Sequence, residues 1–190
     1  MCEMKRVLIA VTGASGAIYA RKVVERLASV AELEQIGVIV SGNGAAVMRC
    51  EHESLPQDVR IRYYDNCDMF AAPASGSGGY EGMIVVPCSM GTAGRIASGV
   101  SSCLIERAAD VMLKERRPLV LVVRETPLST IHLRNLTTLS ECGAVVMPAS
   151  PFFYHNPQSI EALCDGIASR AVGMLGIATD TYRWGDESEG

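Results

Sequence analysis

The 190 residues hold no apolar run of membrane-spanning length: stretches such as Leu119 to Val123 and Gly143 to Met147 fall far short of the ~20 residues a bilayer requires. The seven cysteines, Cys2, Cys50, Cys67, Cys88, Cys103, Cys142 and Cys164, never form the close pairs that zinc sites use, and there are only three separated histidines, His52, His132 and His155. No protein-built metal site is expected, and each thiol reads as a small buried hydrophobe or an inert surface group in a reducing compartment. Basic residues do not dominate either. Seventeen Lys and Arg against 21 Asp and Glu leave a net charge of −4, which argues against general nucleic-acid binding. Between Met1 and Arg6 there is no signal-peptide core, so the expected location is cytoplasmic, with no membrane association.

What is present is enough apolar mass, 48% of residues, for a core without disulfide or metal support. One domain over residues 1–190 is the expectation. Strand-like runs at Arg6–Val11, Gln35–Val40, Met83–Val86, Leu119–Val123 and Ala144–Met147 alternate with helical segments. The helices are placed at Ala17–Leu27, Ala45–Cys50, Gly91–Ala97, Ser102–Arg116, Leu128–Cys142 and from Asn156-Pro157 to about Gly176. Continuous apolar strands separated by helices imply an α/β, Rossmann-like, three-layer doubly wound parallel sheet. The stretch Glu53 to Gly82 reads as one long functional loop, and the acidic tail from about residue 180, with Trp184, as a segment that docks on a neighbouring subunit.

In such a sheet the ligand lies beyond the carboxyl ends of the strands. After the first strand comes Thr12-Gly13-Ala14-Ser15-Gly16-Ala17, a glycine turn opening a helix, suited to a phosphate or a flavin edge and with hydroxyls at Thr12 and Ser15. Strand two ends Ile39-Val40-Ser41, without the acidic residue that a dinucleotide ribose needs, and no tyrosine is followed four residues later by lysine. NAD(P) is therefore disfavoured, whereas a mononucleotide such as FMN needs no ribose carboxylate. Pro87-Cys88-Ser89-Met90-Gly91-Thr92 is a second small-residue, hydroxyl-bearing helix start on the same edge. Basic groups gather nearby. Arg107 and Lys114 lie two turns apart on one helix, Arg124-Glu125 follows the fourth strand, Tyr154 follows the fifth, and Arg170 comes later, whereas Arg116 and Arg117 read as solvated surface charges.

Together with Arg107-Ala108-Ala109-Asp110, the run Leu113 to Leu121, Arg124-Glu125-Thr126-Pro127 and Phe153-Tyr154-His155, these motifs closely resemble the UbiX/Pad family of flavin prenyltransferases from about residue 5 to residue 185. The resemblance implies transfer of the dimethylallyl group of dimethylallyl monophosphate to N5 and C6 of reduced FMN. It also implies delivery of the prenylated flavin to a UbiD-type decarboxylase, and a homo-oligomer, commonly a dodecamer, with active sites where subunits meet. By resemblance, Gly13, Ala14, Ser15, Ser41, Ser89, Met90, Gly91, Thr92 and Arg124 would hold FMN, and Arg107, Lys114, Glu125, Tyr154 and Arg170 the dimethylallyl phosphate. Ser15, Glu51, Glu125 and Lys114 would be catalytic, with Glu51 moving protons. Gly42-Asn43-Gly44 departs from the lysine that many relatives carry there, and Met69 from a tryptophan. The alternatives are an FMN-dependent cysteine decarboxylase, for which His52 would have to serve as the catalytic histidine, and a non-catalytic flavin-binding subunit of an aromatic-acid decarboxylase.

Overall fold

The computed structural model describes residues 4–179; the expected docking tail with Trp184, and Cys2, lie outside them. Six strands, β1 (Arg6–Val11), β2 (Gln35–Val40), β3 (Ile61–Tyr64), β4 (Gly82–Cys88), β5 (Leu119–Val123) and β6 (Val145–Pro148), form one sheet in the order β3-β2-β1-β4-β5-β6. Every pairing is parallel. This is the doubly wound order, with its switch point between β1 and β4.

Side chains along a strand alternate between faces, and here both faces are apolar. Leu8, Ala10, Met83, Val85, Leu119 and Leu121 enter one core, while Val7, Ile9, Val11, Ile84, Val86, Val120 and Val122 enter the other. The first face is covered by α3 (Met90–Ala97), α4 (Leu104–Lys114) and α5 (Thr130–Glu141), and the second by α1 (Ala17–Ser29) and α6 (Ile160–Gly173). Each fully buried Val, Leu or Ile stabilises the fold by roughly 1.5–3 kcal/mol, so the central strands are the anchor for the loops at their ends. On α1 the residues Ala20, Val23, Val24 and Leu27 recur at helical spacing and meet Ala168, Ala171 and Val172 of α6, whose small side chains let the two helices approach. Arg21 and Lys22 reach Glu161, and Arg26 pairs with Asp165, across the same seam.

Several boundaries differ from the sequence expectation. The segment 53–82 is not one loop. It contains β3, an edge strand whose central pair Arg62-Tyr63 is exposed, followed by two short 3-10 turns at Ala72–Ala74 and Gly76–Gly78. α2 (Gly42–Cys50) starts three residues early, because the Ser41 hydroxyl accepts the Gly44 amide at 3.0 Å and caps it. α4 stops at Lys114, and Arg116 turns back with φ 54°. α6 opens at Ile160 rather than at Pro157: Asn156 has φ 49°, and the cap is Ser159, which accepts the Ala162 amide at 3.1 Å. Among the described residues no helix is long and apolar enough to cross a membrane.

Candidate active site

Two loops flank the switch point, and one hydroxyl ties them. Thr12, 2% exposed, donates its Oγ1 hydrogen to the Pro87 carbonyl at 2.7 Å and accepts the Ser89 amide at 2.9 Å. The hydroxyl expected to face a ligand is thus spent on the scaffold. Ser89 then caps α3, accepting the Thr92 amide at 3.3 Å, with its Oγ 3.1 Å from the Thr92 hydroxyl. Ser41 caps α2 in the same way. Two helix N-termini therefore face a single cleft, each bringing unpaired amides and a partial positive charge.

The cleft has a volume of about 390 Å³, within the range of small-molecule sites. Gly13, Ser41, Gly42 and Asn43 line one side, Ser89, Gly91 and Thr92 another, and Asn66, Arg95, Cys103, Ile105 and Glu106 the rest. Glycine is needed at position 13, since a Cβ there would stand 2.5 Å from the Asn43 Cβ. Asn66 builds the floor: its carbonyl accepts the Leu104 amide at 2.8 Å and its Oδ1 the Ile105 amide at 3.1 Å, so the long segment before it caps α4. Hydroxyls, helix-terminal amides and one guanidinium form a donor set suited to a phosphate monoester. Asn43, Asn66, Arg95, Cys103 and Glu106 escaped the sequence reading; Glu106 alone carried a signal, a charge amid the apolar positions of α4.

Beside the cleft, Glu51 reaches across to the start of α1. Its carboxylate accepts the Gly16 amide with both oxygens at 3.0 Å, the Ala17 amide at 2.6 Å and the Ser15 hydroxyl. Burial pushes the Glu51 pKa up, but the Ser15 hydroxyl, these amides and the Arg124 charge more than offset it and hold the group below the ordinary carboxylate range. Arg124 and Glu125 are exposed just past β5, and the Arg124 amide donates to the Cys88 carbonyl at 3.2 Å. Ala14 and Met90 are buried under their loops. The structure thus brings Gly13, Ser41, Ser89, Gly91 and Thr92 into the cleft wall, with Ser15, Glu51 and Arg124 next to one another at the same edge.

The remaining residues stand apart. Arg107 donates to the Ala74 carbonyl at 3.0 Å and to Asp110 at 2.7 Å, and Lys114 to Glu115 at 2.7 Å. Arg107 and Lys114 do share a side of α4, but it faces the 72–78 turns, and Lys114 is about 12 Å along the helix from Glu106. Arg117, expected as a solvated charge, instead holds that segment through the Tyr80 and Gly76 carbonyls at 2.8 and 2.9 Å. Tyr154 is 70% exposed after β6, and Arg170 is exposed ten residues into α6. None of these four expected phosphate ligands, Arg107, Lys114, Tyr154 and Arg170, lines the cleft of its own chain. His52, in a left-handed conformation (φ 56°) just past α2, does not line it either.

The family model described as Flavoprotein matches residues 1–173. Flavin prenyltransferase UbiX of Pseudomonas aeruginosa is 43% identical, over 98% of this chain and 97% of that protein. Among solved structures, AnUbiX (PadA1) in complex with FMN and dimethylallyl pyrophosphate is similar with a TM-score of 0.84 and 40% identity, over 95% of this chain and 100% of that one. The dodecameric FMN-dependent UbiX-like decarboxylase of Escherichia coli O157:H7 gives a TM-score of 0.86 and 33% identity, over 94% of this chain and 98% of that one.

Proposed function

Because the chain belongs to the flavoprotein family and, within it, to the UbiX flavin prenyltransferases, we propose that its cleft holds the phosphate end of FMN and that its outer edge carries out prenyl transfer. The reaction joins the dimethylallyl group of a dimethylallyl phosphate to N5 and C6 of reduced FMN. The observation that carries the assignment of the cleft is the convergence of two serine-capped helix starts, Ser41 and Ser89, on one pocket at the switch point. Gly13, Ala14 and Ser15 would hold a flavin edge, Met90, Gly91 and Thr92 the phosphate, and Arg124 the ring system.

Reduced FMN supplies the nucleophilic nitrogen and carbon when it is bound. Ser15 stands at the edge of that position with its hydroxyl fixed by Glu51, which is ionised at neutral pH and ready to take a proton passed through Ser15. The departing phosphate needs cations that stabilise its growing negative charge in a dry site. Glu125 stands beside Arg124 for this purpose, where a carboxylate orients neighbouring cations. Arg107, Lys114, Tyr154 and Arg170, none of which lines the cleft of its own chain, complete the cage from neighbouring copies in an oligomer, of dodecameric type. In this reading the chain is one flavoprotein domain. The enzyme works in the cytoplasm, and its product passes to a UbiD-type decarboxylase.

The test is anaerobic incubation of the protein with reduced FMN and dimethylallyl monophosphate, followed by mass analysis of the released flavin. A gain of one dimethylallyl group less a proton is expected. Turnover only with the diphosphate would correct the donor, and unchanged FMN with both donors, on folded and flavin-loaded protein, would refute the reading.

A further inference from the structure

We propose that Arg95 is the residue by which this cleft distinguishes FMN from unphosphorylated flavin, with Glu106 as the positioning residue that holds its guanidinium in place. The inference rests on the FMN reading of the cleft and adds to it a phosphate ligand that no sequence motif announced. Side chains on a helix lean back toward its N-terminus, and Arg95, in the second turn of α3, does so. Its Nη2 lies 3.4 Å from the Thr92 hydroxyl, and a Cβ on Gly91 would stand 3.3 Å from its Nη1. The guanidinium thus overhangs the first turn of α3, beside the Ser89 and Thr92 hydroxyls that face the cleft.

What holds it there is asymmetric. Glu106 is 1% exposed, whereas the Arg95 side chain is 48% exposed and opens on the cleft. The Glu106 carboxylate accepts the Arg95 Nε hydrogen with one oxygen, and with the other the Ser102 amide at 2.8 Å and hydroxyl at 2.7 Å. A buried ion pair repays its desolvation only where the geometry is close and the remaining hydrogen-bonding groups are satisfied. Here only Nε is committed to the carboxylate, and Nη1 has no hydrogen-bond partner among the described residues. Guanidinium donors left in this way, next to helix amides and two hydroxyls, match the oxygens of a phosphate monoester dianion. Riboflavin offers that corner only a neutral hydroxyl.

The experiment is titration of the purified protein and of R95Q, R95K and E106Q with FMN and, separately, with riboflavin, followed by flavin fluorescence. Wild type is expected to favour FMN, and R95Q to raise the FMN Kd about tenfold or more while leaving the riboflavin Kd unchanged. R95K should retain part of the preference, and E106Q should fall between wild type and R95Q. An unchanged FMN-to-riboflavin ratio in R95Q, whether neither Kd moves or both move together, overturns the proposal while leaving the flavin site standing. A wild type that binds neither flavin overturns the flavin reading itself. Arg95 is half exposed, so R95Q decides the matter even where E106Q fails to fold.

Discussion

Both carboxylate oxygens of Glu51 lie 3.0 Å from the Gly16 amide nitrogen, so a side chain at the end of α2 caps a helix that begins thirty-four residues earlier in the chain. The group is ionised in the fold, with its pKa held below the ordinary range. A depressed carboxylate pKa contributes stability that is present above the unfolded value and is lost as pH falls through the folded one. E51Q should therefore cost about 1 kcal/mol at neutral pH, typical of a lost cap, and the gap to wild type should close in acid. Urea unfolding at a series of pH values checks this; a gap that persists into strong acid would contradict the role of charge.

Thr12→Val keeps the shape of the side chain and removes both hydrogen bonds of its hydroxyl. Each hydrogen bond lost costs roughly 0.5–1.5 kcal/mol, and FMN affinity should fall because the two loops no longer share a fixed point. Thr12→Ser should retain most of both. Equal stability of the valine variant and wild type in urea would show the tie to be dispensable.

Gly37 faces Tyr80 from inside the sheet. A Cβ there would stand 2.6 Å from the Tyr80 hydroxyl oxygen and 2.8 Å from Leu8 Cδ1, so G37A should destabilise by roughly 1–3 kcal/mol through overpacking. Y80F frees that space but breaks the 2.8 Å hydrogen bond to the Tyr64 hydroxyl, worth roughly 0.5–1.5 kcal/mol. The double variant should lose less than the sum of the two, a result that thermal or urea unfolding reads directly.

If Lys114 serves a neighbour's site, damage to it and to Glu51 should fall on different active centres. K114A and E51Q homo-oligomers should each lose most prenyl transfer while K114A still binds FMN. Mixed oligomers, made by dissociating and reassembling the two together, should recover activity at centres that draw both intact residues from different chains. Absence of recovery in verified mixed oligomers would place Lys114 and Glu51 in one chain's site.

The centre of the fold was legible because burial on both sheet faces leaves no choice of residue: β4 and β5, and β1 after Arg6, are apolar, and their runs stand out from the intervening helices. β3 was missed for the opposite reason. An edge strand packs on one side only, and Ile61-Arg62-Tyr63-Tyr64 looks like the polar loop around it. The start of α6 was misplaced because Asn156-Pro157 carries a cap signature, but the chain spends it on a left-handed turn. Within the site, the helix start at Ser89 could be read locally, since a cap is a contact over three residues, whereas the cap at Ser41 is hidden because Gly42-Asn43-Gly44 looks like a turn. Asn66 and the Arg95 and Glu106 pair could not, because they depend on segments that only the folded chain brings together.

The shared Thr12 hydroxyl makes a single oxygen atom the gauge between the two ligand-bearing loops, buried where no ligand touches it. Variation that alters what the cleft accepts is thereby steered to the rim, to positions such as Gly42, Asn43 and Arg95 that can change without resetting the spacing beneath them. The floor of the cleft sets a distance and its rim sets a preference, and the two meet at the side chain of one threonine.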